Sequence, residues 1–116
     1  TGRVGTGGLV RHLRDGGIIS ILLDEKYAEG VRIPFLGIDA LTSLAAAQLA
    51  LKYDLPMIPA YGTRVDDGNA FQVDFEAPIP HSDSITMTRA FNDSLSARIM
   101  ANPEQWYWML RRWGVE

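Results

Sequence analysis

Six residues near the start of the chain, Ile18-Ile19-Ser20-Ile21-Leu22-Leu23, are apolar at every position but one and do not alternate. A strand with one face in water alternates, so a run of branched apolar residues without alternation predicts a strand covered on both faces, as in a parallel sheet between helices. Gly16-Gly17 separate this run from a short helix predicted over residues 6–15 with Leu9, Val10 and Leu13 inward, and Asp24 ends it. The run is far below the roughly 18 to 20 apolar residues that a membrane span requires, and nothing else in the sequence reads as a span, a secretory signal or a transit peptide.

The remaining elements follow from periodicity and punctuation. Residues 25–37, with Gly30, Pro34 and Gly37, read as a connection longer than usual between strand and helix, and such loops tend to carry function. Asp39 then reads as the N-cap of a helix over 40–53 whose face holds Leu41, Leu44, Ala45, Leu49 and Leu51. A second inner strand is predicted over 57–64. Asp66-Asp67-Gly68-Asn69 is a turn signal, and Phe71 to Glu76 alternates strictly, which predicts an antiparallel, half-exposed strand near a sheet edge. Ile85, Thr88, Phe91, Leu95 and Ile99 form one helical stripe over 85–101. Asn102-Pro103-Glu104-Gln105 reads as the start of a closing helix with Trp106, Leu110 and Trp113 on one side. The predicted order is αβαββαα, in a single α/β unit spanning residues 1–116 with no internal boundary.

Composition limits the function classes. With 47% hydrophobic and 22% charged residues the chain has the balance of a globular protein, and a formal charge of −3 gives no global attraction to nucleic acid. The absence of cysteine removes disulfides, thiolate metal sites and a cysteine nucleophile. No histidine pair stands at metal-ligand spacing, and the early glycines do not form a dinucleotide fingerprint; neither a cofactor nor a metal is expected.

Two parallel strands joined by a helix bring both strand ends and the helix N-terminus to one sheet edge. That edge collects Asp24, Glu25 and Lys26 after the first strand, Arg32 on the loop, Gly37, Asp39 and Thr42 around the helix start, and Arg64 at the end of the next strand. A helix N-terminus with basic neighbours suits a phosphate or another anion, whereas the same charges also serve simply to solvate a long loop. Asp24 is the sharper candidate, because a carboxylate directly after a buried strand must be paired; Lys26 or Arg64 could pair it, as a site or as a structural salt bridge. His12 and His81 read as surface residues. The aromatic and basic cluster of residues 106–113 suits a membrane interface or a C-terminal helix covering the sheet; Trp106 and Trp113 read as core, with Trp108 and Arg111-Arg112 left free.

Several of these segments resemble one family. Gly17 to Asp24, then Glu29-Gly30-Val31, Pro34-Phe35-Leu36-Gly37, Ala40 and Thr42, look like the later half of bacterial lipid A biosynthesis acyltransferases, the lauroyl/myristoyl transferases. The closing Asn102-Pro103-Glu104-Gln105-Trp106-Tyr107-Trp108, followed by Arg111-Arg112-Trp113, is similar to that family's terminal signature and is the most specific part. The resemblance covers essentially the whole chain and extends to the wider glycerol-phosphate acyltransferases.

It implies a C-terminal fragment of a three-layer fold with a mixed sheet, from an enzyme at the cytoplasmic face of the bacterial inner membrane. Such an enzyme moves a fatty acyl group from acyl carrier protein or coenzyme A to a hydroxyl of a phosphorylated glucosamine lipid. In that family a histidine and an acidic residue five positions on activate the acceptor. Here the fifth position after His12 is Gly17 and after His81 is Thr86, so the chain alone is expected to be inactive. Asp24 matches the family's strand-end aspartate and is expected to support catalysis, with Lys26, Arg32, Gly37, Thr42 and Arg64 on the substrate side. A noncatalytic anion- or phosphate-binding module is the alternative. The fragment itself is expected to be soluble and to pair edges with a second copy.

Overall fold

The computed structural model describes residues 3–106 and 112–113. Helix α1 (Arg3–Arg14) is followed by an extended segment, a hairpin of β1 (Val31–Phe35) and β2 (Ile38–Thr42), helix α2 (Ala45–Lys52), a second hairpin of β3 (Ala60–Val65) and β4 (Ala70–Phe75), and the long helix α3 (Ser84–Ala101). Each hairpin is its own two-stranded antiparallel sheet. Among the described residues the order is therefore αββαββα, a mixed α/β arrangement without the predicted parallel pair or mixed sheet.

The β1–β2 hairpin replaces the predicted long loop and the first turn of the predicted helix. Leu36 and Gly37 both take positive φ, 52° and 82°, as a two-residue hairpin turn demands. Pro34 pairs with Asp39 and Ile33 with Ala40; in both strands the third and fifth residues are buried. This face, with Ile33, Phe35, Ala40 and Thr42, packs toward α3. Asp39 thus lies in a strand rather than capping a helix. Helix α2 starts at Ala45, whose N–H is met by Ser43 Oγ at 3.2 Å.

Ile18–Leu23 forms no strand. Leu23 is buried, but Ile18 and Leu22 are 88% and 79% exposed. The expectation fails for a physical reason: a strand is defined by its partner, and this run lines a cleft instead of pairing with a neighbour. The second predicted inner strand begins at Ala60 and pairs antiparallel with β4 instead.

The alternating strand and its turn are where the pattern places them, with a 3-10 turn at Asp66–Gly68. Their orientation is unusual. Phe71, Val73 and Phe75 are 70%, 59% and 73% exposed, whereas the polar side of the hairpin faces α3. There Arg98 forms 3.0 Å ion pairs with Asp74 and Glu76 and lies 4.7 Å from the Tyr61 ring centroid. Ser94 donates to Glu76 and accepts a 2.8 Å bond from Tyr61 Oη.

Helix α3 covers the stretch that its stripe predicts, and Asp83 caps it through a 2.8 Å bond from the Thr86 N–H and a 2.7 Å bond from its hydroxyl. Thr88, Leu95 and Ile99 are buried as expected, Ile85 is exposed, and Met87 and Asn92 are fully buried additions. One core holds Leu23, Ala47, Ala50, Met57, Ile79 and Met87; the other holds Phe35, Ala40, Leu95 and Ile99 with Trp106 and Trp113. Phe91 packs against both. The closing helix expected to start at Asn102–Gln105 is there only a 3-10 turn over Pro103–Gln105, with no side-chain cap from Asn102 and an extended Trp106 after it; residues 107–111, over which it was expected to continue, lie outside those described.

The Asp83→Ala variant is expected to lose about 1 kcal/mol in urea unfolding, the usual cost of removing an N-cap. The Asp74 carboxyl is held below the ordinary carboxylate range by the Gln72 amide and then by Arg98, and that of Glu76 by the Ser94 hydroxyl and then by Arg98. Depressed carboxyl values stabilise the folded state above the unfolded-state values, and this contribution disappears as pH falls through the folded-state values. Stability measured on acidification from neutrality should therefore drop below the ordinary carboxylate range, and drop less steeply in Arg98→Met.

Candidate functional site

The extended run 18–24, helix α2, residues 57–63 entering β3, and the inner side of α3 enclose a cleft of about 740 Å³. Its walls are mostly apolar, including Ile18, Ile21, Leu22, Met57, Ile58 and Phe91. The chain's exposed aliphatic run thus becomes one wall of a cavity. Among the described residues Asp24 is the one carboxylate lining it, and the other lining charge, Arg98, is committed to Asp74 and Glu76.

Asp24 is placed by the strap that follows it. The Tyr27 N–H donates to the Leu41 carbonyl at 3.2 Å, and the Gly30 N–H turns back to the Tyr27 carbonyl at 2.8 Å. Gly30 presses so closely on the Thr42 backbone that a Cβ there would collide with it, which requires glycine at this position. The strap therefore wraps the end of β2.

The same end of β2 receives a buried cation. Arg112 is 1% exposed. One terminal guanidinium nitrogen donates to the Leu41 carbonyl at 2.7 Å, the other to Thr42 Oγ1 at 2.8 Å, and the group lies 5.3 Å from the Phe35 ring centroid. Its Nε has no hydrogen-bond partner. Burial pushes the guanidinium below its ordinary pKa, and the nearby Asp24 carboxylate works the other way. Thr42 is the hub: its hydroxyl donates to the Ala40 carbonyl at 2.9 Å, accepts from Arg112, and receives a long 3.5 Å contact from Asn92 Nδ2. Trp113 stacks on Phe35 at 5.4 Å, and its indole N–H reaches the Phe35 and Ile38 carbonyls, each at 3.2 Å.

The sequence-derived residues thus separate. Asp24 lines the cleft. Lys26 is half-buried on the strap, Arg32 is exposed on β1 opposite Leu41, and Gly37 is exposed at the hairpin tip. Thr42 is fully buried in β2 rather than at a helix start. Arg64 is exposed on β3, where the Gln105 side chain grips its backbone at 2.8 and 3.2 Å. With the helix starting at Ala45, Gly37 and Asp39 no longer surround its N-terminus.

His12 and His81 are exposed and do not line the cleft. Trp106 and Trp113 pack as core, as their spacing suggests, and Trp108 lies outside the described residues. Arg112, expected to stay free of the core, is instead buried. No local signal marked it, because its partners lie some seventy residues earlier.

An α/β protein with an apolar cleft and a lone carboxylate on its wall has the features of a site for a lipid-like ligand with a polar end. Residues 4–114 match the family of bacterial lipid A biosynthesis acyltransferases, and the chain belongs to that family. A role in acyl transfer, between an acyl donor and a lipid acceptor, follows from the membership. A comparison with curated proteins gave no match. Among the described residues no helix is long and apolar enough to cross a membrane.

Replacing the hub by Thr42→Val would strand one Arg112 donor in a buried position, a change that costs about 1–3 kcal/mol. Urea unfolding should register a loss of that order, with a shift in tryptophan emission at lower denaturant than in the parent.

Proposed function

We propose that this chain contributes the acyl-chain cleft and a supporting carboxylate to an enzyme that transfers a fatty acyl group to a hydroxyl of a phosphorylated glucosamine lipid. The donor is a thioester of acyl carrier protein or coenzyme A, and the setting is the cytoplasmic face of the bacterial inner membrane. The observation that carries this reading is the apolar cleft with Asp24 as its one described carboxylate. Each methylene buried there would contribute about 0.8 kcal/mol, enough for a chain of lauroyl or myristoyl length to be held by the hydrocarbon alone.

In the reaction the acceptor oxygen attacks the thioester carbonyl, a base removes the hydroxyl proton, and the tetrahedral adduct expels the thiolate to leave an ester. The chain has no histidine followed at the fifth position by an acidic residue, so the base comes from elsewhere in the enzyme. Asp24 orients the acceptor or that base. Arg32 and Arg64, both exposed, and Lys26 on the strap face the lipid phosphates, where a guanidinium fork matches the geometry.

The test uses the protein as the cell makes it, supplied with labelled acyl carrier protein or acyl-coenzyme A and a phosphorylated glucosamine lipid. Transfer from either donor is expected, and none from both would overturn the reading. Asp24→Asn should lower kcat by about 10²-fold or more, in the range of a lost acid–base partner. The 116 residues by themselves should transfer nothing yet bind a fluorescent fatty acid, and Ile21→Asp, which puts a charge on the cleft wall, should weaken that binding.

A further inference from the structure

Arg112 has no role in the proposed chemistry, yet among the described residues it is the one charged side chain that is buried. A guanidinium at 1% exposure loses its hydration, and removing it from water is justified only by close, well-directed partners. Among the described residues it has two, and their positions are informative. The Leu41 carbonyl that accepts its 2.7 Å bond also accepts the Tyr27 N–H, and Tyr27 stands three residues after Asp24 on the strap. The hydroxyl that accepts its second bond belongs to Thr42, against whose backbone Gly30 closes the same strap. The guanidinium therefore touches both points at which the strap is fastened to β2. The Asp24 carboxylate, at the start of that strap, is the acidic group whose charge favours the protonated guanidinium.

We infer that Arg112 is a positioning residue: it fixes the strap to the end of β2 and, with its charge, holds the Asp24 carboxylate at the cleft wall without touching substrate. The inference rests on the acyltransferase reading for its kinetic consequence; the fastening of the strap beside Arg112 stands on the geometry alone. The cation is fixed by two protein oxygens and by the Phe35 ring, so it supplies a field of set position rather than a mobile charge. An anchored charge of this kind orders its partner without reorganising during a reaction.

A double-mutant cycle tests it with two readouts. The first needs no activity. Asp24→Asn should lower the melting midpoint in the Arg112 background and leave it unchanged in Arg112→Met, because the coupling is lost with either partner. Equal shifts in both backgrounds would overturn the pairing. Should Arg112→Met fail to fold, Arg112→Gln, which keeps a hydrogen-bond donor but not the charge, takes its place, and the Asp24→Asn shift should again vanish; an undiminished shift overturns the pairing.

The second readout is acyl transfer by the protein as the cell makes it. Arg112→Met should lower kcat about tenfold with KM unchanged, and lower it no more than about twofold when Asp24 is already Asn. Arg112→Lys should recover part of the rate. Additive losses in kcat, or a loss expressed in KM, would overturn the positioning role even with the thermal coupling present. An enzyme inactive in every form would instead count against the acyltransferase reading, and the melting cycle would still decide the pair.

Discussion

A guanidinium removed from water is destabilising until its donors are met, and the buried group of Arg112 makes that demand on both strands of the first hairpin at once. Its two bonds end on Leu41 and Thr42, the last residues of β2; its face lies over Phe35 of β1. The residue that follows, Trp113, stacks on the same phenyl ring and caps two carbonyls at the hairpin turn. The C-terminal segment is therefore welded to a hairpin some seventy residues earlier, and that hairpin to α3 through Asn92, whose amide donates to the Pro34 carbonyl at 3.3 Å. Without the cation, the end of β2 would have fewer reasons to hold its strap, and the strap is what sets Asp24.

The two hairpins meet α3 in opposite ways. The first presents an apolar face, with Phe35, Ala40, Leu95 and Ile99 in one core. The second presents Tyr61, Asp74 and Glu76 to Ser94 and Arg98, so that hydrogen bonds and ion pairs do the joining and its phenylalanines turn outward. Half-exposed ion pairs contribute modestly, but several in one network around a planar guanidinium fix orientation well. One of the outward phenylalanines joins other exposed apolar side chains. Phe75, Ile18, Leu22 and Ile58 all line the same cleft while remaining substantially exposed, which gives one side of the molecule a continuous apolar lining.

What the sequence made legible follows from how local each signal is. Helix α3 was readable because its stripe and its Asp83 cap lie within the segment. The β3–β4 hairpin was readable because the Asp-Asp-Gly-Asn turn and strict alternation are local too. The β1–β2 hairpin was not: Pro34 in one strand, Leu36 in a left-handed turn position and Asp39 looking like a cap all argue for loop and helix. Residues 18–23 show the converse error, a strong strand composition with no ladder to join. Asp24 was visible as a carboxylate ending an apolar run, while Thr42 was singled out for a helix start it does not occupy. Arg112 and Asn92 were invisible as a pair of neighbours because only the fold brings them to Thr42.

On the acyltransferase reading the two halves of this site contribute differently to rate. The apolar cleft holds hydrocarbon equally before and during the reaction, so it sets how much donor is bound and which chain lengths compete, not the barrier. The carboxylate acts where charge moves, and its value depends on being in place before the acceptor arrives. A loop carboxylate next to an open, apolar cleft would ordinarily sample many positions. Here the strap is tied at Leu41 and closed at Gly30 against Thr42, and both fastenings are shared with a cation that solvent does not reach. The most buried charge among the described residues thus orders the segment that carries their one acidic group at the cleft.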